Sequence, residues 1–190
     1  MLTFGCLAPS NSTAQYWSRE QLEKANTAQA VQHLTDQEKE VIRYLNLARM
    51  YPAAFAANEI ANYSGVEKFG YIERTSPYKQ SLLQTLRTAR PVQPLYFDED
   101  LFQLARCFAR ESGRAGLVGH DRINCNSGYL GECCSYGYET GREIAISLLI
   151  DHNVPSLGHR EICLSASYKK IGVKIEPHTQ YDYCCVLDFQ

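Results

Sequence analysis

Two histidines and two carboxylates recur in an ordered series in the second half of this chain. Gly119-His120 is followed by Gly131-Glu132, then by Asp151 at the end of a helix-like run, then by Gly158-His159-Arg160. Neutral imidazoles and carboxylates are the side chains that bind divalent metal ions or move protons near neutral pH. The four lie far apart in the chain, so a site made from them must be assembled from separate loops. Glycine before each histidine permits a positive φ and a close backbone approach, a common way to present a side chain into a cleft. Plainer alternatives stand beside this one. Either histidine alone serves equally well as a satisfied structural residue, Glu132 as a surface carboxylate beside Cys133-Cys134, and Asp151 as a solvated or loop-capping residue.

Asp151 is the odd member. A carboxylate in the last turn of a helix faces the negative end of the helix dipole, at a cost of about 0.3–1 kcal/mol when exposed. It also falls on the line of Ile144 and Leu148, the face expected to point inward. A nearby cation or protonated imidazole would offset both penalties. His33 and His178 sit in polar stretches and read as surface residues, while His152, next to Asp151, is expected to face another way. No G-x-S-x-G elbow, H-E-x-x-H, phosphate loop or G-x-G-x-x-G is present. Tyr129, Tyr136 and Tyr138 crowd the stretch around Glu132, where they could line a ligand cleft or pack in the core.

The elements that must position these groups are legible in outline. A short helix is expected over 18–25. Thr35 and Glu38 form a T-x-x-E capping box that opens a helix whose apolar face is Val41, Ile42, Leu45, Ala48 and Met50. The helix is expected to restart after Pro52. Residues 62–94 read as an excursion containing a helix over 76–87 and closed by Pro91 and Pro94. Asp98 caps a further helix that ends near Gly113 and Gly116. Residues 121–139 are rich in Asn, Gly, Ser, Tyr and Cys, and read as a loop with short extended pieces. Thr140 and Glu143 make a second T-x-x-E box, and Asn153-Val154-Pro155 stops that helix. Residues 171–175 and 183–189 are β-branched and aromatic runs, a hairpin signal with a long connection. Helices first and strands last indicate an α+β domain.

Composition narrows the function classes. The chain has 190 residues with 45% hydrophobic and 21% charged content, enough for one domain with a sizeable core. A formal net charge of −2 gives no reason to expect nucleic acid or an anionic membrane as partner. No apolar run is long enough to span a bilayer. Eight cysteines, with no C-x₂-C pairing of the zinc-ribbon kind, favour an exported protein with some disulfides. Residues 1–8 are apolar but lack the basic flank and full apolar stretch of a secretory leader, and Gly5-Cys6 only faintly resembles a bacterial lipidation site.

Taken together, the series resembles the CAP superfamily of cysteine-rich secretory, antigen 5 and pathogenesis-related-one proteins, also called SCP-like domains. The likeness rests on Gly119-His120, Gly131-Glu132, the helix ending in Asp151, Gly158-His159-Arg160 and the closing Cys185-Val186-Leu187-Asp188-Phe189. The run from Asp151 to Arg160 is similar to bacterial secreted members, and Tyr44-Leu45-Asn46-Leu47-Ala48-Arg49 and Leu101-Phe102-Gln103-Leu104-Ala105 add to the match. The resemblance implies an α–β–α sandwich, a small, mainly antiparallel sheet between helices with a cleft on one side. It implies residues 35–190 as one CAP domain, 1–34 as an N-terminal extension and 62–94 as an insertion between the first two core helices. His120, Glu132, Asp151 and His159 take the family's cleft positions, with His120 and His159 as ligands for zinc or another divalent ion. Asp151 stands where the family's second acid is usually Glu, and Cys133 where Asn usually follows the first.

The favoured expectation is an extracellular or cell-envelope binding module that takes a divalent metal and a lipid, sterol, glycan or peptide, with no integral membrane segment. A metal-assisted hydrolase or peptidase, with Glu132 or Asp151 as the catalytic general base, is the second expectation. Two histidines alone make a poor catalytic zinc site, since such sites usually have three protein ligands. The third is a non-catalytic structural polar network.

Overall fold

The computed structural model describes residues 17–70 and 72–190. Cys6 and the whole stretch 1–8 lie outside the described residues. Thr35 opens α2 (Asp36–Met50) through the full capping box: its hydroxyl accepts the Glu38 N–H, and the Glu38 carboxylate accepts the Thr35 N–H at 2.8 Å. Ahead of it, α1 (Arg19–Ala25) is capped by Ser18, and Ala25, Ala28 and Leu34 are buried in the same core as α2. Pro52 begins a short α3 (Pro52–Phe55) that passes into a π turn (Ala56–Ile60). Within the excursion, α4 (Pro77–Thr88) buries Leu82, Leu83 and Leu86.

Asp98 caps α5 (Glu99–Ala115), which ends on Gly116 in the left-handed conformation. Thr140 caps α6 (Gly141–Ile150), but only half of the expected box forms. Its hydroxyl accepts the Glu143 N–H, while the Glu143 carboxylate turns instead to the Tyr63 hydroxyl and Arg142. Then α7 (Gly158–Leu164) follows, with His159 and Arg160 in its first turn.

Four strands form one mixed sheet in the order β1-β3-β4-β2. The strands are β1 (Tyr96–Phe97), β2 (Gly131–Tyr136), β3 (Lys170–His178) and β4 (Asp182–Phe189). β1 runs parallel to β3, and the other pairs are antiparallel. Within 121–139, expected to be a loop with short extended pieces, Gly131–Tyr136 forms a full strand of the sheet. Its run Glu132-Cys133-Cys134-Ser135-Tyr136 has no β-branched residue, so propensity gave little signal, and the ladder to β4 makes it a strand. The hairpin strands also reach further than expected, to His178 and Asp182, leaving a turn of only three residues. His178 is therefore buried rather than at the surface, with its Nε2 3.0 Å from the Leu117 carbonyl and its ring 5.3 Å from that of Tyr136.

Helix α5 covers one face of the sheet, and α2, α6 and α7 cover the other, giving three layers and an α+β sandwich. Alternation along the strands divides the core accordingly. Cys134, Cys184 and Val186 pack with Ala105 and Phe108 under α5, while Cys133, Cys185, Leu187 and Phe189 join the larger core on the other side. Gly172 lets α5 lie directly on β3, because a Cβ there would stand 2.2 Å from the backbone of Leu101 and Phe102. This close seat brings the segment after α5, with His120, alongside the edge strand β2.

Candidate functional site

Two imidazole–carboxylate pairs meet at the edge of β2. The first is His120 with Glu132. Gly119, at φ +99°, turns the chain there, and the Tyr136 hydroxyl grips it, accepting the Gly119 N–H at 3.0 Å and donating to its carbonyl at 3.2 Å. His120 Nδ1 then lies 2.7 Å from Glu132 Oε1. An ionised carboxylate only accepts, so Nδ1 carries the proton and Nε2 is left with its lone pair. The Glu132 side chain is 2% exposed, and Arg122 neutralises it through a two-pronged ion pair. Burial alone would raise the Glu132 pKa, but the bonds from His120 and Arg122 overcome it and hold it below the usual value. In return, the hydrogen bond to Glu132 raises the His120 pKa. The Arg122 guanidinium lies 4.1 Å from the Phe108 ring centre and 4.8 Å from that of Tyr129, sandwiched for packing as well as charge.

The second pair is His159 with Asp151. Asp151 ends α6 in the left-handed conformation (φ 55°) and is buried. Its carboxylate accepts three bonds: Oδ2 from the backbone N–H of His159 (3.0 Å) and Arg160 (3.3 Å), Oδ1 from His159 Nδ1 (2.8 Å). The expected penalty at the helix C-terminus is thus offset by the opening N–H groups of α7. Arg160 supplies a cation as well. It donates to the Leu149 and Ile150 carbonyls at the end of α6, and to Tyr78 and Ser81 of α4. At this second histidine the positive φ is taken by Leu157 rather than by Gly158, which is already the first residue of α7.

The two imidazole rings stand 6.4 Å apart, so the four residues singled out in the sequence converge. His159 and Asp151 open into a hollow of about 170 Å³ with Cys134, Tyr136, Tyr138 and Ile72 in its wall. His152 is in that wall too, contrary to expectation, because Asp151 leaves the helical path and turns the chain. Two imidazoles on one zinc, at the usual bond length of about 2.0–2.1 Å, put their ring centres roughly 5.5 Å apart. His120, with 52% of its side chain exposed, needs to close by about an ångström to meet that. Imidazoles are donors of the kind that suits divalent cations of the zinc class. A second donor group lies alongside: His120, Glu132 and Cys134 offer ligand atoms all within 4.8 Å of one another.

A family model described as CAP, cysteine-rich secretory protein family, matches residues 80–189, more than half of the chain. The chain belongs to the CAP family. Among solved structures, an outer surface protein from Borrelia burgdorferi is similar over 52% of this chain and 79% of its own. That match has 21% sequence identity and a TM-score of 0.41. No curated protein matches the chain in sequence.

Three residues of this CAP domain's site were missed in the sequence. Arg122 had a signal, a basic residue two positions beyond His120 and able to reach the same carboxylate. Asp188 closes the motif on β4, where it sits directly opposite Glu132 in the ladder. It is 0% exposed, and neither carboxylate oxygen has a hydrogen-bond partner among the described residues. Burial and the nearby Glu132 charge push its pKa up to about 8. The thiol of Cys134, 3.8 Å from His120 Nδ1, gave no signal beyond its position two residues past Glu132. Burial, then the Glu132 charge, raises that thiol's pKa well above the usual value.

Proposed function

We propose that this CAP domain is an exported binding module whose two imidazoles, His120 and His159, hold a divalent cation of the zinc class. Glu132 and Asp151 are the groups that orient the rings, and a cation held by the two imidazoles would supply a Lewis-acidic centre. The observation that carries this reading is the double pairing: each Nδ1 is tied to a buried carboxylate while the two rings stand 6.4 Å apart. Export is supported by the Cys107–Cys125 disulfide, since such bonds persist in oxidising compartments. Among the described residues no helix is long and apolar enough to cross a membrane.

Binding is favoured over a hydrolase or peptidase by the state of the carboxylates. A general base needs a lone pair aimed at bound water. Glu132 is committed to His120 and Arg122, and Asp151 to three N–H donors. A structural role for the Asp151 half has its own support, because those three bonds join the end of α6 to the start of α7. The expected lipid, glycan or peptide enters by a small polar end group, since about 170 Å³ is below the roughly 300–1,000 Å³ of common ligand pockets. We take residues 35–190 as the domain and 62–94 as its insertion, which adds Ile72 to the wall of the hollow and packs Phe69 on the wall residue Tyr138 at 4.9 Å.

Calorimetric titration of zinc into chelator-treated protein tests the proposal. The wild type should bind one ion, and His120→Ala combined with His159→Ala should weaken binding at least a hundredfold while circular dichroism shows the protein still folded. Equal affinity in the double variant would overturn it.

A further inference from the structure

Two thiols that take no part in the imidazole pairs lie against each other in the larger core. Cys133 and Cys163 are both fully buried there. Cys133 follows Glu132 on β2, and its Sγ lies 3.8 Å from the His159 carbonyl. That carbonyl is one helical turn ahead of Cys163, so the second thiol follows on the same flank of α7. The two side chains are in hydrogen-bond contact with one another. Strand and helix are seated closely at this point, since a Cβ on Gly131 would stand 3.2 Å from the Ile162 side chain. Cys134 and Cys184 face α5 instead, with Cys184 Sγ turned to the Ala109 carbonyl at 3.3 Å, and Cys185 sits on the β4 rung opposite Ser135.

A buried cysteine by itself is a small apolar filler. Two in contact across an interface are the arrangement from which a disulfide closes with the least backbone movement, and an oxidising compartment favours that closure. We propose that Cys133 and Cys163 are joined in the exported protein as a second disulfide, a staple between β2 and α7. The loop it closes contains Asp151 and His159. One end of that loop adjoins Glu132 and the other lies a turn beyond His159, so the staple holds the strand that carries one carboxylate against the helix that carries the second imidazole. The inference shares with the proposed function the premise of export, and it does not need the cation.

The bond forms by thiol–disulfide exchange with a disulfide-bearing oxidant such as oxidised glutathione. One cysteine thiolate attacks the oxidant and expels a thiol, and the other cysteine then attacks the mixed disulfide and expels the second. Two electrons pass to the oxidant, whose disulfide leaves as two thiols carrying the two cysteine protons. Exchange precedes closure of the core, because burial takes both sulfurs from solvent and raises the Cys133 thiol well above its usual pKa.

The test is to refold the reduced full chain in a glutathione redox buffer, alkylate free thiols in denaturant, and map peptides by mass spectrometry without reduction. A linked species holding Cys133 and Cys163 should appear in the wild type. It should persist in Cys134→Ala, which removes the adjacent thiol as an alternative partner, and vanish in Cys163→Ala. A water-soluble phosphine added to the folded protein should open Cys107–Cys125, whose Cys107 is exposed, and leave the buried bond closed until denaturant is added. Cys133→Ala and Cys163→Ala should each lower Tm by roughly 5–15 °C, and the double variant should fall little further than either. A wild type in which Cys133 and Cys163 are both alkylated, or bonded to other cysteines, overturns the staple, and so does a double variant whose loss is the sum of the singles. Should the variants fail to fold, the wild-type map alone decides. No arm contains metal, so zinc titration still decides the cation reading separately.

Discussion

Asp188→Asn is the substitution that probes the buried carboxyl cluster most sharply. Asp188 is fully buried opposite Glu132 on the ladder, and burial with that neighbouring charge raises its pKa from 3.8 to about 8. A carboxyl whose pKa is higher in the folded state contributes stability that is complete below its unfolded pKa and disappears as the pH rises through the folded one. Its window is therefore about pH 4 to 8. At 1.36 kcal/mol per pKa unit the full shift sets a ceiling of about 6 kcal/mol. Glu132, held low by His120 and Arg122, titrates with Asp188 as a pair and takes back part of that, leaving about 2–4 kcal/mol between pH 5 and 8. Asparagine has the shape of the protonated acid and does not titrate. Urea unfolding of metal-free protein at both pH values is the assay. The wild type should lose about 2–4 kcal/mol from pH 5 to pH 8, and Asp188→Asn should match it near pH 5 and exceed it at pH 8. In melting temperature that is roughly 2–4 °C per kcal/mol for a chain of this size. Parallel curves for the two proteins, with equal losses between pH 5 and 8, would refute the reasoning.

Asp151→Asn should reverse the tautomer of His159, since an amide N–H₂ opposes Nδ1–H, and so protonate the nitrogen that would meet the cation. Zinc affinity should fall about 10–100-fold, with about 1–3 kcal/mol lost from stability, read by calorimetry and urea unfolding. Arg122→Met should strand the buried Glu132 carboxylate and cost about 3–5 kcal/mol at pH 7, measured the same way; a loss within experimental error would count against the ion pair. The His120 imidazole should titrate above 6.5 by NMR in metal-free protein and move down in Glu132→Gln. Its pairing with Glu132 therefore adds stability at acidic pH that is lost as the pH rises through the raised value. Reducing the Cys107–Cys125 bond, which joins residues 18 apart, should cost about 3 kcal/mol in thermal unfolding monitored by circular dichroism.

The residues differ in how readably they declared themselves. His120, Glu132, Asp151 and His159 were legible because glycine neighbours and a helix-end carboxylate are local signals, and the fold brings all four to one strand edge. The caps at Thr35 and Asp98 were legible for the same reason, since their bonds close within three residues. β2 was not, because its conformation comes from pairing with β4 some fifty positions later, and glycine, cysteine and serine hide that. His178 was misplaced because the hairpin continues through Pro177, and that carries the ring inward against Tyr136. Cys134 and Asp188 join the site only through the α5 face of the sheet, which exists once β2 pairs with β4, and that pairing is what the sequence hid.

Zinc anomalous diffraction from a crystal grown with one equivalent of the ion bears most directly on whether the two imidazoles form one site. A single peak about 2.0–2.1 Å from a ring nitrogen of both His120 and His159 is the result expected here. A peak bound by only one of them, or located away from the edge of β2, would contradict it.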